Sequence, residues 1–166
     1  MLMRHGKSDW LAGAVDDFNR PLAKRGEKAS RRIGKWLLEN DLLPELIISS
    51  PASRACKTAQ NVCTVAGMPT GILSADERLY LAGVESLLEV IHQCPPAAGS
   101  LMVIGHNPGL EELLEYLCTD PAPEAANGKL MPTAALALLQ LKGPWNELDA
   151  GSASLQILIR PRQLGN

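Results

Sequence analysis

Short apolar runs alternate with helical stripes along most of this chain, and that alternation constrains its fold more than any other feature. "ELIIS" (45–49) and "LMVIG" (101–105) are apolar, rich in β-branched or unbranched aliphatic residues, and bounded by turn residues, as buried strands are. "ALALLQL" and "SLQILIR" near the C-terminus read the same way, joined by a loop through "KGPWNELDAG". In the last of these, Leu155, Ile157 and Ile159 alternate with Gln156 and Arg160, which predicts a sheet edge with one buried face. Four helices are predicted between the strands. Ala29, Ile33, Trp36 and Leu37 fall on one helical face, as do Ala55, Ala59, Val62, Cys63 and Ala66. Val84, Leu87, Leu88 and Ile91 make a third stripe, and Leu110, Leu113, Leu114 and Leu117 a fourth. Strands and helices in this order predict an α/β fold with a mostly parallel sheet covered on both faces. "CPPAAGS" and "DPAPEAANGKLMP" read as loops.

Length and charge narrow the function classes. A chain of 166 residues is most simply one domain, 1–166. Sixteen basic against 18 acidic residues give a net charge of -2, too weak a field to hold nucleic acid or an acidic membrane face. No apolar run approaches the roughly 20 residues of a membrane span, and the first ten residues carry no signal-peptide core, so a cytoplasmic protein is expected. Cys56, Cys63, Cys94 and Cys118 form no CxxC pair and sit among apolar neighbours; they read as small core residues in a reducing compartment, not as metal ligands.

In open α/β sheets, ligands bind beyond the carboxyl ends of the strands. Three such junctions carry unusual polar residues: Arg4, His5 and Gly6 after the N-terminal run, "SPASR" with Arg54 after "ELIIS", and "GHNPGL" with His106 after "LMVI". Two arginines and two of the three histidines at converging strand ends suit an anion site. Ser50–Pro51 and Asn107–Pro108 each read as an N-cap with proline at the first helical position, which would aim helix N-termini at the same anion. Gly6 and Gly105 fit places of tight turning or close ligand approach. His92, on a helical pattern away from any strand end, reads as structural. Trp10 and Trp145 are expected to be buried, exposed anchors being the rarer fate. Walker A and GxGxxG loops are absent.

These residues fall into recognisable motifs. "LMRHGKSDW" resembles the RHG signature of the histidine phosphatase superfamily, and "DFNRPLAKRGEKAS", "SSPASRACKTA", "ERLYLAG" and "GHNPGLEELLEYL" follow in the order of its SixA-like phosphohistidine phosphatase branch. The resemblance covers residues 1 to 118. It implies a three-layer αβα sandwich of the phosphoglycerate mutase-like kind, with no metal or organic cofactor. By the matched motifs His5 is the nucleophile that takes the phosphoryl group, Arg4 and Arg54 clamp its oxygens, and His106 and Asn107 complete the phosphate pocket. His106, if protonated, would add a positive charge. Arg20, in the "RPL" match, corresponds to a further pocket arginine.

The chain departs from the wider superfamily in two places. Leu11 stands where many relatives have asparagine after the tryptophan, and Tyr80 stands where they supply a glutamate as general acid. Glu77 and Tyr80 are the candidate acids, with Asp76 close by. Loss of the glutamate fits a substrate whose leaving group needs little protonation, such as phosphohistidine on a phosphorelay or phosphotransfer protein. A phosphomonoesterase for a small metabolite and a non-catalytic phosphate-binding module are the alternatives. Only Met1 to Met3 precede Arg4, which predicts either further residues ahead of Met1 or a short strand that supports its histidine less firmly.

Overall fold

The computed structural model describes residues 1–120 and 130–165; most of the "DPAPEAANGKLMP" stretch lies outside them. Among the described residues six strands form one sheet in the order β3-β2-β4-β1-β5-β6. They are β1 (Leu2–Arg4), β2 (Leu46–Ser49), β3 (Leu73–Ala75), β4 (Leu101–Gly105), β5 (Leu136–Leu141) and β6 (Ala153–Ile159). The first four are mutually parallel, whereas β5 runs antiparallel to β1 and β6 antiparallel to β5. The β5–β6 connection carries only the 3₁₀ turn Trp145–Glu147. Without a crossover helix it can return the chain only as an antiparallel neighbour. β6 is the predicted edge, though Leu155, Ile157 and Ile159 are only half-buried there.

Each parallel strand divides its side chains between two cores because successive residues point to opposite faces. Met3, Met102 and Ile104 pack with α1 (Lys24–Glu39) and α2 (Ser53–Ala66) on one face. Leu2, Leu101 and Val103 pack with α3 (Val84–His92) and α4 (Gly109–Leu117) on the other. The α4 stripe is complete: Leu110, Leu113 and Leu114 are 0% exposed and Leu117 1%. Each such leucine contributes about 1.5–3 kcal/mol of burial. α2 ends where Gly67 takes a left-handed φ of 67° and its N–H returns to the Cys63 carbonyl, a conformation that favours glycine.

Several expectations need correction. Strand β3 carries Leu73, Ser74 and Ala75, too short and too weakly apolar for its pattern to register. α2 and α4 begin at Ser53 and Gly109, two and one residues later than proline at the first helical position requires. In place of a cap at the helix start, the Ser50 hydroxyl accepts the Ala52 N–H at 3.3 Å and His106 Nε2–H at 2.7 Å, while the Asn107 amide is turned to donate to the Met131 carbonyl and its Oδ1 accepts no bond among the described residues. The Asn107–Pro108 peptide is cis. Gly6 is a place of close approach, but to the chain itself: a Cβ there would sit 2.8 Å from the Gly26 carbonyl oxygen. At Gly105 a Cβ would make only ordinary contact with Leu110 and the backbone is not left-handed, so the chain's own packing does not require glycine there. Trp10 is 71% exposed because its ring serves as a platform for Arg20, whereas Trp145 is half-buried and donates its Nε1–H to the Ala98 carbonyl. Cys63, Cys94 and Cys118 are buried and Cys56 half-buried, all as free thiols. His92 bonds the Leu148 carbonyl and packs α3 to the β5–β6 connection.

Candidate active site

The pocket is built by three neighbouring strand ends. β1 lies beside β4 with Arg4 opposite Gly105, and β2 lies on the other side of β4 with Ser49 opposite Ile104. The next residues, His5, Ser50 and His106, therefore emerge together. Backbone bonds fix two of them: His5 N–H donates to the Gly105 carbonyl at 3.1 Å and Ser50 N–H to the Ile104 carbonyl at 2.8 Å. Although β1 has only three residues, it is paired on both sides, which supports His5 from β4 and β5 alike. Thr58 on α2 adds a further tie, accepting the Gly6 N–H while its hydroxyl donates to the Arg54 carbonyl.

His5 is 8% exposed and His106 4%, with ring centroids 5.0 Å apart. Their partners assign the tautomers. His5 Nδ1 faces the Gly6 carbonyl at 2.7 Å and must carry the proton, which leaves the Nε2 lone pair directed at Arg54 Nε, 3.4 Å away. His106 Nδ1 faces Arg54 Nη2 at 3.3 Å, so it accepts, and Nε2–H donates to the Ser50 hydroxyl at 2.7 Å. Burial pushes the His5 pKa down to about 3; the Gly6 carbonyl opposes this, and the charges of His106, Arg54 and Arg4 add to it. His106 is lowered to about 4 by burial and then by Arg54 and Arg4, against an opposing pull from Asp17. Both rings are thus neutral near pH 7, and a protonated His106 would need a negative charge brought beside it. Ring ¹⁵N shifts of His5 and His106 are expected to stay flat from pH 8 to about 5.5, because the values lie near 3 and 4. A transition of either ring near pH 6.5 would contradict this electrostatic picture.

Arg54 is the hub of the cluster. Besides the two histidines, its guanidinium reaches the Asp17 carbonyl at 2.6 Å and Asp17 Oδ2 at 2.9 Å. Arg20 also joins Asp17, through Oδ1 at 2.6 Å, with its guanidinium carbon 3.4 Å from the Trp10 ring centroid. Tyr80 O–H donates to Asp17 Oδ2 at 2.9 Å and its ring meets His106 edge-on. Arg4 and Asn107 both donate to the Met131 carbonyl. Among the described residues, Arg4 Nε, Arg20 Nε and Asn107 Oδ1 are buried without a hydrogen-bond partner. An unpaired buried donor is costly, and two such guanidinium donors suit an oxyanion.

Arg4, His5, Arg20, Arg54, Tyr80, His106 and Asn107 thus gather at one pocket. Glu77 does not: it is exposed and makes none of these bonds, and Asp76 is occupied by Arg78 at 2.7 Å. Asp17 and Ser50 are polar members of the cluster whose place there the sequence reading missed. Asp17 lies three residues before Arg20, a spacing that could have signalled the pair. Among the described residues no cluster of His, Cys, Asp and Glu could hold a metal ion, and no helix is long and apolar enough to cross a membrane.

A sequence model of the histidine phosphatase superfamily (branch 1) matches residues 1–79. The chain is 30% identical to phosphohistidine phosphatase SixA of Escherichia coli over 142 residues, covering 84% of this chain and 83% of the relative. The chain belongs to the histidine phosphatase superfamily. It is also 32% identical to an uncharacterised Mycobacterium tuberculosis protein over 164 residues, 96% of this chain and all of that one. In fold, this histidine phosphatase superfamily member matches the structure of protein histidine phosphatase SixA complexed with tungstate, with a TM-score of 0.81. That match covers 99% of this chain and 97% of the other at 24% identity, and it shows the same α/β architecture.

Proposed function

We propose that this protein is a phosphohistidine phosphatase that works through a covalent phospho-His5 intermediate. The observation that carries the proposal is the state of His5: neutral, with Nδ1–H held by the Gly6 carbonyl and its Nε2 lone pair facing a buried arginine. Nε2 attacks phosphorus in line, the Nε2–P bond forms, and the bond to the leaving group breaks with its electron pair. Water then attacks the phospho-His5 phosphorus, and His5 leaves with the Nε2 lone pair it began with. Transfer of this kind depends on positioning and on stabilising charge over three oxygens. Arg4, Arg20 and Arg54 supply planar donor forks for them, and Arg4 Nε and Arg20 Nε, without a partner among the described residues, can donate to such an acceptor. Asn107 lines the same pocket. A bound phosphoryl dianion also favours protonated imidazole, which gives His106 a route to a charged state in the complex.

The proton inventory favours phosphohistidine over an ester. Burial alone would raise Asp17, but hydrogen bonds from Tyr80 and Arg54 and the charges of Arg54 and Arg20 outweigh it and hold the carboxyl below its usual range. An ionised Asp17 has no proton to give. Tyr80 already donates to Asp17, and that bond raises its pKa. An alkoxide leaving from an ester needs protonation in the transition state far more than imidazole does. The proposed substrate is accordingly a phosphohistidine-bearing protein of phosphorelay or phosphotransfer type. A single domain over 1–166 carries the activity without a cofactor, and the free thiols suit a cytoplasmic setting.

The test is a turnover panel of a phosphohistidine protein against sugar, nucleotide and glycerate phosphates. The proposal expects kcat/KM for the phosphohistidine protein to exceed every ester by at least ~10²-fold, the lower end of what general acid catalysis contributes. A small phosphate ester turned over faster would assign the pocket to metabolite hydrolysis. Phosphate binding without turnover of any substrate would make it a binding module.

A further inference from the structure

Three side chains of the pocket converge on Asp17. Arg54 shows why this matters, because its guanidinium has two donor forks. The outer fork is occupied by Asp17: Nη1 donates to its main-chain carbonyl at 2.6 Å and Nη2 to its Oδ2 at 2.9 Å. The inner fork, Nε and Nη2, faces His5 Nε2 at 3.4 Å and His106 Nδ1 at 3.3 Å. A phosphoryl group on His5 Nε2 must therefore lie against the inner fork. The other carboxylate oxygen holds Arg20 Nη2 at 2.6 Å while Trp10 supports the same guanidinium from one face. Tyr80 O–H donates to Oδ2 at 2.9 Å and fixes the carboxylate from a third side.

We propose that Asp17 is a positioning residue for phosphoryl transfer, clasping the outer fork of Arg54 and one end of Arg20 so that the inner fork of Arg54 stays aimed at the phosphoryl group. The proposal rests on the reading of His5 as phosphoryl acceptor. A carboxylate among arginines could instead be a stand-in for the substrate anion, expelled when phosphate binds. The geometry favours the clasp, because Asp17 and the acceptor nitrogen lie on different forks of one guanidinium. Bidentate, charge-assisted bonds of this kind fix orientation as well as strength. The Arg54 side chain is 3% exposed, so water cannot readily replace the clasp, whereas the Asp17 side chain is 44% exposed and keeps part of its hydration.

The two roles predict effects of opposite sign on anion binding. Titration calorimetry of the purified full chain with inorganic phosphate is expected to give about tenfold or weaker affinity in Asp17→Ala, the loss of one charge-assisted contact. A smaller loss is expected in Asp17→Asn, which keeps the shape and one acceptor and guards against a fold defect in the alanine variant. The part of the Asp17 effect that runs through Arg54 should vanish in an Arg54→Ala background, leaving only the part carried by Arg20, less than about a threefold difference between Arg54→Ala and the double variant. Tighter phosphate binding in either single variant would overturn the clasp in favour of a displaced stand-in. An undiminished loss in the Arg54→Ala background would overturn action through Arg54. Wild-type protein that fails to bind phosphate would sink the phosphate-pocket reading itself, a failure visible before any variant is compared.

Discussion

Replacing His5 by alanine is expected to reduce phosphohistidine turnover on the order of 10⁴-fold or more, the scale on which loss of a catalytic nucleophile is felt. The substitution removes the one neutral imidazole whose Nε2 lone pair faces the arginine at the strand ends. His106 is also neutral and turns its Nδ1 lone pair to the same guanidinium, but it is the Nδ1 rather than the Nε2 nitrogen that is free, because Nε2–H donates to Ser50. The fold should survive: His5 is anchored through its backbone to Gly105, and alanine retains that N–H. Unaltered thermal unfolding with turnover lost would separate chemistry from stability. Near-wild-type turnover in this variant would mean that phosphate leaves by direct attack of water.

The second large effect is at Arg54. Arg54→Ala removes both inner-fork donors and frees Asp17, and a preorganised donor of this kind is worth ~10²–10³-fold in kcat. The loss should fall more on kcat than on KM, because charge on the equatorial oxygens is best complemented in the transition state. Arg54→Lys is not a rescue. A single ammonium cannot serve Asp17 on one edge and the phosphoryl group on the other, so its kcat should remain close to that of the alanine variant. Full activity in Arg54→Lys would show that a point charge suffices. The planar-fork account would then be wrong. The same depressed imidazoles make the site acid-sensitive. Below about pH 6.5 the unfolded chain takes up protons that folded His5 and His106, with values near 3 and 4, refuse. Their contribution to stability is therefore complete above that pH and declines as the pH falls toward 4.

What could be read from the sequence was whatever periodicity or strand position encodes directly. The four helical stripes and the strands around 46–49 and 101–105 formed as expected, because each repeats apolar residues at the spacing of its own element. His5 and His106 stand just beyond strand ends and Arg54 in the first turn of α2, and the sheet places those strand ends side by side, as the reading of the strand junctions expects. Longer-range partners escaped. Ser50 and Asn107 looked like N-caps in their local sequence, but each is also tied to a residue distant in sequence, Ser50 to His106 and the Asn107 amide to the Met131 main-chain carbonyl. Trp10 looked like a residue to bury until Arg20, ten positions on, proved to lie over its ring. The spacing of Asp17 and Arg20 hints at their ion pair, but the other contacts of Asp17 leave no such trace. Its role depends on Arg54 and Tyr80, 37 and 63 residues away, and no local pattern announces such a meeting.

Whether a phosphoryl group resides on His5 during turnover is the central question, and rapid-quench labelling answers it directly. Purified protein is mixed with a ³²P-labelled phosphohistidine protein for less than one turnover, quenched in base and digested, with the His5→Ala variant as blank. The account predicts acid-labile, base-stable label on the peptide containing His5, appearing before free phosphate and absent from the blank. Free phosphate released in that first turnover with no label on His5 would contradict it.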